Sequence, residues 1–237
     1  MPARELALTP GTGSDTVWPM TTDPTAGAAP SVWCPRCGGS VAPDLDVSGV
    51  WWCPVHGQVP GLNGFAEPSV NVLLEQAIRG GAPTWVPWPL PALWSVSGAG
   101  HVGDDRAVAT VLACSGPDPL GALGDVLLIA EDPGTGLGAG YAGLPGPDPD
   151  TDVTGRPADA KLIANGHPSP LWHVSAPDDR EVYVGEAAGR WLWVIGWPGL
   201  ATAAVLLGAT TIVALSDIVG ELDVVPLTGL TGRLARR

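Results

Sequence analysis

The sequence predicts an α+β fold built on a mainly antiparallel β-sheet with few helices. Short runs of β-prone residues recur through the second half of the chain, bounded by clusters of Gly, Pro and Asp. The connections between these runs are short, which favours antiparallel pairing of neighbouring strands. Before the sheet, two pairs of Cys/His residues stand fifteen residues apart. This spacing indicates a separate small unit folded around a metal ion.

The chain begins with a stretch that has no hydrophobic period. Residues 1–30 are rich in Thr, Pro, Gly, Ala and Asp, and we expect them to form a disordered tail. The metal-binding unit is predicted over residues 31–61. Its two ligand motifs read Cys34-Pro-Arg-Cys37-Gly-Gly and Trp52-Cys53-Pro-Val-His56-Gly.

Two C-x2-C/H turns at this separation are typical of a tetrahedral zinc site. Four protein ligands close the coordination shell, so such a zinc ion is structural and keeps no position for a catalytic water. A disulfide within the first motif is the alternative, but it leaves the third cysteine unpaired. The sequence therefore predicts a zinc ribbon with the ligands Cys34, Cys37, Cys53 and His56.

Tryptophans crowd the predicted zinc site. Trp33, Trp51 and Trp52 flank the ligands, and we expect them to shield the metal and to pack on the following domain. Residues 62–83 are predicted to form a linker with a short amphipathic helix. Apolar residues from Val70 to Ile78 follow the helical period, Ser69 can cap the start, and a Gly-Gly-Ala-Pro run ends it.

The sheet domain is predicted over residues 84–230. It opens with an extended strip that carries Trp85, Trp88 and Trp94 among three prolines. We expect this strip to close the core of the sheet, and a binding groove is the alternative. Predicted strands follow at Leu93–Ala99, Arg106–Cys114, Gly124–Glu131, Leu171–Ser175, Glu181–Glu186, Arg190–Trp197, Thr202–Leu207 and Asp223–Leu227, with a hairpin turn at 187–189 and a helix at 210–221.

Charge and cysteine usage limit the possible partners and the compartment. The formal net charge of −13 makes nucleic-acid binding unlikely. Cys114 lies in an apolar run and is expected to be a buried thiol, so no disulfide framework is predicted. No signal peptide is visible, and we expect a cytoplasmic protein.

The uncharged run 191–216 is interrupted by Gly and Pro, so we expect it to be buried in the sheet domain rather than to span a membrane. Residues 231–237 form a basic tail.

Two further patterns are candidate sites. The glycine run 134–140 resembles a phosphate loop, but no Gly-Lys-Ser/Thr follows and the next residues do not favour a helix. His173 and Ser175 share a face of a predicted strand, and Asp104 and Arg106 form a second polar cluster. These four residues could line the pocket of an enzyme, although no nucleophile elbow is present and turn-capping explains the aspartates equally well.

The assembled motifs resemble a family of uncharacterised actinobacterial proteins that contain a domain of unknown function. The resemblance covers about residues 31–230. It rests on the two ligand motifs and on Trp85-Val-Pro-Trp88-Pro-Leu-Pro, Gly103-Asp-Asp-Arg106, Ala113-Cys-Ser-Gly-Pro-Asp-Pro-Leu-Gly121, Gly136-Leu-Gly-Ala-Gly-Tyr-Ala-Gly143 and Ser169-Pro-Leu-Trp-His-Val-Ser175. Some relatives carry the automatic name phosphotransacetylase.

The sequence thus favours a cytoplasmic protein-interaction or regulatory module with a structural zinc ion and an unidentified protein partner. The alternative is a small-molecule-binding enzyme with a pocket in the sheet domain. By family naming alone, that enzyme would be an acyl- or phosphate-group transferase.

Overall fold

The structure is a computed structural model that describes residues 32–149, 155–208 and 211–234. The tail predicted over residues 1–30 lies outside the described residues. So does the end of the predicted basic tail, residues 235–237.

The described residues contain fourteen β-strands and two α-helices. The strands are β1 (Val32–Trp33), β2 (Ala42–Pro43), β3 (Val50–Cys53), β4 (Gly57–Pro60), β5 (Leu62–Asn63), β6 (Trp85–Pro87), β7 (Ser95–Val102), β8 (Ala109–Pro117), β9 (Leu123–Glu131), β10 (Ala160–Ala164), β11 (His167–Val174), β12 (Glu181–Ala187), β13 (Arg190–Trp197) and β14 (Thr211–Ala214). The α-helices are α1 (Val70–Ile78) and α2 (Leu137–Ala142). A π-helical turn spans Ala204–Gly208, and 3-10 helices span Gly199–Ala201 and Leu215–Val224.

Eleven of these strands form one sheet in the order β1-β5-β7-β8-β9-β13-β12-β11-β10-β14-β6. Two antiparallel meanders, β7–β9 and β10–β13, meet where β13 pairs with β9 and Val194 lies opposite Leu128. Among the described pairs in this sheet, only β10 and β14 run parallel. The prediction of a mainly antiparallel sheet with few helices is confirmed.

A second, three-stranded sheet carries the predicted metal ligands. It consists of β2, β3 and β4, all antiparallel, and its last strand ends at Pro60. The strands on either side of this small sheet in the chain, β1 and β5, pair with each other and join the edge of the large sheet through β7. The stretch of chain that forms the small sheet is therefore anchored in the large sheet at its start and at its end.

The strongest strand predictions are confirmed. Six predicted runs overlap β7, β8, β9, β11, β12 and β13. The predicted hairpin turn joins β12 to β13, where Ala187 pairs with Arg190. Ala188 and Gly189 have φ angles of 54° and 73°, so the two central residues of the turn are left-handed, as in a type I′ hairpin.

The predicted helix is confirmed as α1, and Ser69 caps it by accepting a hydrogen bond from the amide of Val72. Its apolar stripe is only partly buried. Leu73 is buried together with Gln76, whereas Ile78 is 72 % exposed. The helix packs beside the 3-10 helix Leu215–Val224, and this orientation turns the C-terminal part of the predicted stripe towards solvent.

Predictions for the run after β13 are partly wrong. The strand expected at Thr202–Leu207 is a helical turn, and the helix expected at 210–221 is replaced by β14 and a 3-10 helix. The 3-10 helix extends into the strand expected at Asp223–Leu227. The expectation that this run is buried is confirmed in part, because Ile195, Val205 and Ile212 are inaccessible to solvent whereas Leu200 and Leu207 are 41 % and 80 % exposed. Within the described ranges, no helix is long and apolar enough to cross a membrane.

Both faces of the large sheet are covered. On one face, α1, the Trp/Pro strip and the 3-10 helix Leu215–Val224 pack over the strands. Trp85 and Trp94 are buried there, which confirms that the strip closes the core. On the other face lie α2 and the C-terminal residues, where Leu234 packs against Gly98 of β7. This second face also receives the metal-ligand cluster.

Candidate metal centre

Two turns of similar shape present the predicted metal ligands. We call Cys34–Cys37 the first ligand turn and Cys53–His56 the second ligand turn. Each has proline after its first ligand and is followed by a glycine with positive φ, 67° at Gly38 and 68° at Gly57. A left-handed residue at this point lets the chain fold back, so both ligands of a turn point to the same side.

The four ligand atoms converge at a spacing that suits a tetrahedral metal site. The Sγ atoms of Cys34, Cys37 and Cys53 and a ring nitrogen of His56 all lie within 4.8 Å of one another. Tetrahedral bonds of about 2.3 Å to sulfur and about 2.0 Å to nitrogen imply S–S edges of about 3.8 Å and S–N edges of about 3.5 Å. The Cys37–Cys53 Sγ distance is 3.8 Å, and the distances from His56 Nδ1 to Cys34 and Cys53 Sγ are 3.4 and 3.7 Å. The cluster can therefore hold a metal ion.

Backbone amides around the sulfurs favour thiolates. Burial raises the pKa of Cys34 to about 12, although the amides of Cys37 and Arg36 act in the opposite direction. Burial also acts to raise the pKa of Cys53, but the amides of Val55 and His56, together with the side chains of His56 and Cys34, outweigh it and lower this pKa to about 6. A bound cation would favour the ionised form of both thiols, because metal ligation requires thiolate sulfur.

The first ligand turn packs against the glycine run 134–140, whose second half lies in α2. Arg36 donates hydrogen bonds to the carbonyl oxygens of Gly134 and Thr135, at 2.7 and 3.4 Å. A methyl group on Gly140 would lie only 2.5 Å from the carbonyl oxygen of Arg36. This glycine therefore permits close approach of the turn to the helix, a role that the sequence analysis did not foresee.

The glycine run forms a helix, contrary to the sequence prediction, and a buried carboxylate occupies the N-terminus of that helix. Glu131 is inaccessible to solvent, and its Oε2 accepts a hydrogen bond of 2.7 Å from the amide of Leu137. Burial raises the pKa of Glu131 to about 7, while the amides of Gly138 and Leu137 lower it and the charge of Asp148 raises it further. The chain itself thus places a carboxyl group where a phosphate would bind in a phosphate loop.

The tryptophans near the cluster behave differently from one another. Trp51 packs against the buried ligands, and Trp33 packs on the large sheet, as expected. Trp52 is 54 % exposed, so the expectation that it shields the metal or packs on the next domain is wrong. Alternation along β3 explains the difference, because neighbouring residues of a strand face opposite sides of the sheet.

The four candidate catalytic residues lie in two separate places. His173 and Ser175 lie at the end of β11 and line a shallow pocket with Arg180 and Glu181. Asp104 and Arg106 lie in the turn between β7 and β8. Four strands stand between β7 and β11 in the sheet, so the structure does not bring the two pairs together. Their catalytic roles stay predictions.

A half-buried histidine also lies outside the set of predicted site residues. The Nε2 atom of His101 lies 3.1 Å from the side-chain amide of Asn63, and its Nδ1 lies 3.2 Å from that of Gln76. Burial lowers the pKa of His101 to about 4, and the nearby charge of Arg79 lowers it further. This histidine is neutral at physiological pH and ties α1 to β7.

One comparison with known proteins identifies the chain's family. Residues 28–234 match a protein-family model. The chain belongs to that family, DUF6758. DUF6758 is described as a family of unknown function, which confirms the resemblance to an uncharacterised family. The four ligands and Glu131 all fall within the part of the chain that matches DUF6758. Among curated proteins and among solved structures, no match to the chain is found.

Proposed function

We propose that this chain is a cytoplasmic protein-interaction module whose Cys3His cluster holds a structural zinc ion. Three thiolates and one imidazole suit zinc, which prefers this mixture of ligands in a tetrahedral arrangement. The four ligands fill the coordination shell, so the ion's role is to fix the two ligand turns. The four cysteines are free in the structure, which fits a reducing compartment.

The exposed side chain of Trp52 carries the interaction proposal. It lies directly before the ligand Cys53, and Val55 within the second ligand turn is 76 % exposed. Large apolar side chains beside a metal-fixed turn are held in place at little conformational cost, and tryptophan is enriched at the centre of protein interfaces. The net charge of −13 favours a protein partner over a nucleic acid.

The metal assignment is tested by elemental analysis. Purified protein is expected to contain about one equivalent of zinc, and Cys34→Ser is expected to lose it. Cys114→Ser is the matched control, because this buried cysteine lies away from the cluster on β8. A folded wild-type protein without zinc, or with another metal at one equivalent, would contradict the assignment.

The interaction surface is tested by comparing captured proteins between variants. Wild-type protein is expected to retain a partner that Trp52→Ser and Val55→Ser lose. Leu123→Ser is the matched control, since Leu123 is 86 % exposed and lies on β9, far along the chain from the ligand turns. If every protein captured by the wild type is captured equally by Trp52→Ser, this surface is not the interface.

A further inference from the structure

Two turns at one end of the large sheet each expose a leucine. The first turn comprises residues 91–94 and lies just before β7, and the second comprises residues 118–121 and directly follows β8. Leu93 is 85 % exposed in the first turn, and Leu120 is 84 % exposed in the second. We call these two turns the leucine turns. Apolar side chains exposed to this extent bury little area, so they add little to the stability of their own fold.

A tryptophan holds the two leucine turns side by side. The indole of Trp94, the last residue of the first turn, donates a hydrogen bond of 3.0 Å to the carbonyl oxygen of Pro117, which immediately precedes the second turn. A methyl group on Gly116 would lie only 2.5 Å from the same indole ring, so the ring packs flush against the end of β8. The two exposed leucines therefore belong to one surface.

The backbone of the first turn is strained at its leucine. The amide of Trp94 donates a hydrogen bond of 3.0 Å to the carbonyl oxygen of Pro91, and Leu93 between them has a φ of 69°. A positive φ at the third residue of a turn favours glycine and is unfavourable for a bulky side chain. Strain of this kind is concentrated at functional sites. Stability alone would favour glycine at position 93, so the exposed leucine indicates a function for its side chain.

The second turn is rigid, and its charged group is turned inwards. Asp118 is buried, and its Oδ1 accepts hydrogen bonds of 2.8 and 2.9 Å from the amides of Leu120 and Ala122. Residues 91–94 and 119–124 contain no charged side chain. The surface that presents the two leucines is therefore apolar, uncharged and fixed in shape.

We propose that the leucine turns dock on the surface of a lipid bilayer, with Leu93 and Leu120 inserted at the boundary between headgroups and acyl chains. Protein interfaces gain most of their energy from Trp, Tyr and Arg side chains within a polar rim, and leucine is under-represented among these hot spots. The turns expose none of those three residue types. On a protein with a net charge of −13, uncharged turns are the part that approaches phosphate headgroups without repulsion. The chemistry that suits them is a zwitterionic lipid surface.

This surface is separate from the proposed partner surface at Trp52 and adds a second contact to the proposed function. The small sheet joins the large sheet through β5, where Leu62 pairs with Val102, the last residue of β7. The leucine turns lie at the opposite end of β7, next to its first residue, Ser95. Docking on lipid therefore leaves the ligand turns free.

Sedimentation of the full chain with phosphatidylcholine vesicles tests the docking. The wild type is expected to sediment with the vesicles at millimolar lipid. Leu93→Gly and Leu120→Ser are each expected to lower the partition coefficient by about tenfold, since burying one leucine side chain contributes at least that factor. Leu93→Gly separates function from folding, because glycine adopts a positive φ without steric cost. Urea unfolding is expected to show that this variant is at least as stable as the wild type.

A control variant and a second lipid complete the test. Ile78→Ser removes an exposed apolar side chain from α1, which contacts His101 towards the other end of β7, and is expected to leave binding unchanged. Vesicles that contain phosphatidylglycerol are expected to bind less protein, because they repel its negative charge. No sedimentation of the wild type, equal binding by the leucine variants, or stronger binding to the anionic vesicles would overturn the proposal. A dimer that forms without lipid and is lost in Leu93→Gly would show that a second copy covers the turns, and would overturn it too.

Discussion

Replacing Glu131 by Gln is expected to remove a loss of stability that the wild-type protein undergoes as the pH rises. Burial raises the pKa of this carboxyl from 4.5 to about 7. The folded protein therefore binds the proton more tightly than the unfolded chain does. The stabilising contribution is complete below pH 4.5 and is lost as the pH rises through 7.

The size of this effect follows from the two pKa values. A difference of this size corresponds to about 3 kcal/mol in the free energy of unfolding, at roughly 1.4 kcal/mol for each pKa unit. Most of the loss falls between pH 5 and pH 8. The side-chain amide introduced by Glu131→Gln carries no titrating proton, and any cost of its poorer match to the backbone amides of α2 is the same at every pH.

Urea unfolding at pH 5, 6, 7 and 8 measures the effect. The free energy of unfolding of Glu131→Gln minus that of the wild type is expected to increase by about 2–3 kcal/mol over this range. The subtraction cancels the other titrating groups, including the thiols of the ligand cluster. Glu186→Gln, at an exposed position on β12, is the matched control and is expected to give a flat difference. A flat difference for Glu131→Gln as well would refute the raised pKa.

Three further changes test other parts of the structure. Gly140→Ala places a methyl group against the carbonyl oxygen of Arg36, so the apparent zinc affinity in a chelator competition is expected to fall, whereas Gly220→Ala, with open space at its Cβ position, leaves it unchanged. Ser69→Ala removes the N-cap of α1 and is expected to lower the free energy of unfolding by about 1 kcal/mol in urea titrations, and an unchanged value would contradict the cap. Burial raises the pKa of the Cys114 thiol, so iodoacetamide is expected to leave it unmodified in the folded protein and to label it after unfolding, as peptide mass spectrometry can measure. Labelling of the native protein at Cys114 would contradict this burial.

Local patterns in the sequence predicted much of the sheet and all four ligands of the cluster. Strands β12 and β13 alternate clearly, and a Gly turn joins them, so their pairing is encoded within about 17 residues of chain, Glu181–Trp197. The ligand turns are encoded within four residues each. Features of this kind need no knowledge of the rest of the fold.

The elements that were missed depend on contacts between distant parts of the chain. The short β14 pairs in parallel with β10 and antiparallel with β6, neither of which is its neighbour in the sequence. Helix α2 consists largely of glycine and alanine, and glycine disfavours helices. It is supported by the carboxylate of Glu131 at its N-terminus, and a methyl group on Gly138 would overlap the ring of Trp193. The sequence signal for it was a glutamate just before a glycine run.

The two strands at the ends of the large sheet bear on how this protein avoids aggregation. An unpaired strand edge can recruit a strand from another molecule, and short or proline-containing edge strands reduce that risk. In the order of the described strands, the two ends are β1, with two residues, and β6, with three, the last of which is Pro87. The long, apolar strands β8, β9 and β13 lie in the interior of the sheet. The arrangement gives a protein rich in apolar strands little backbone through which copies of it could polymerise.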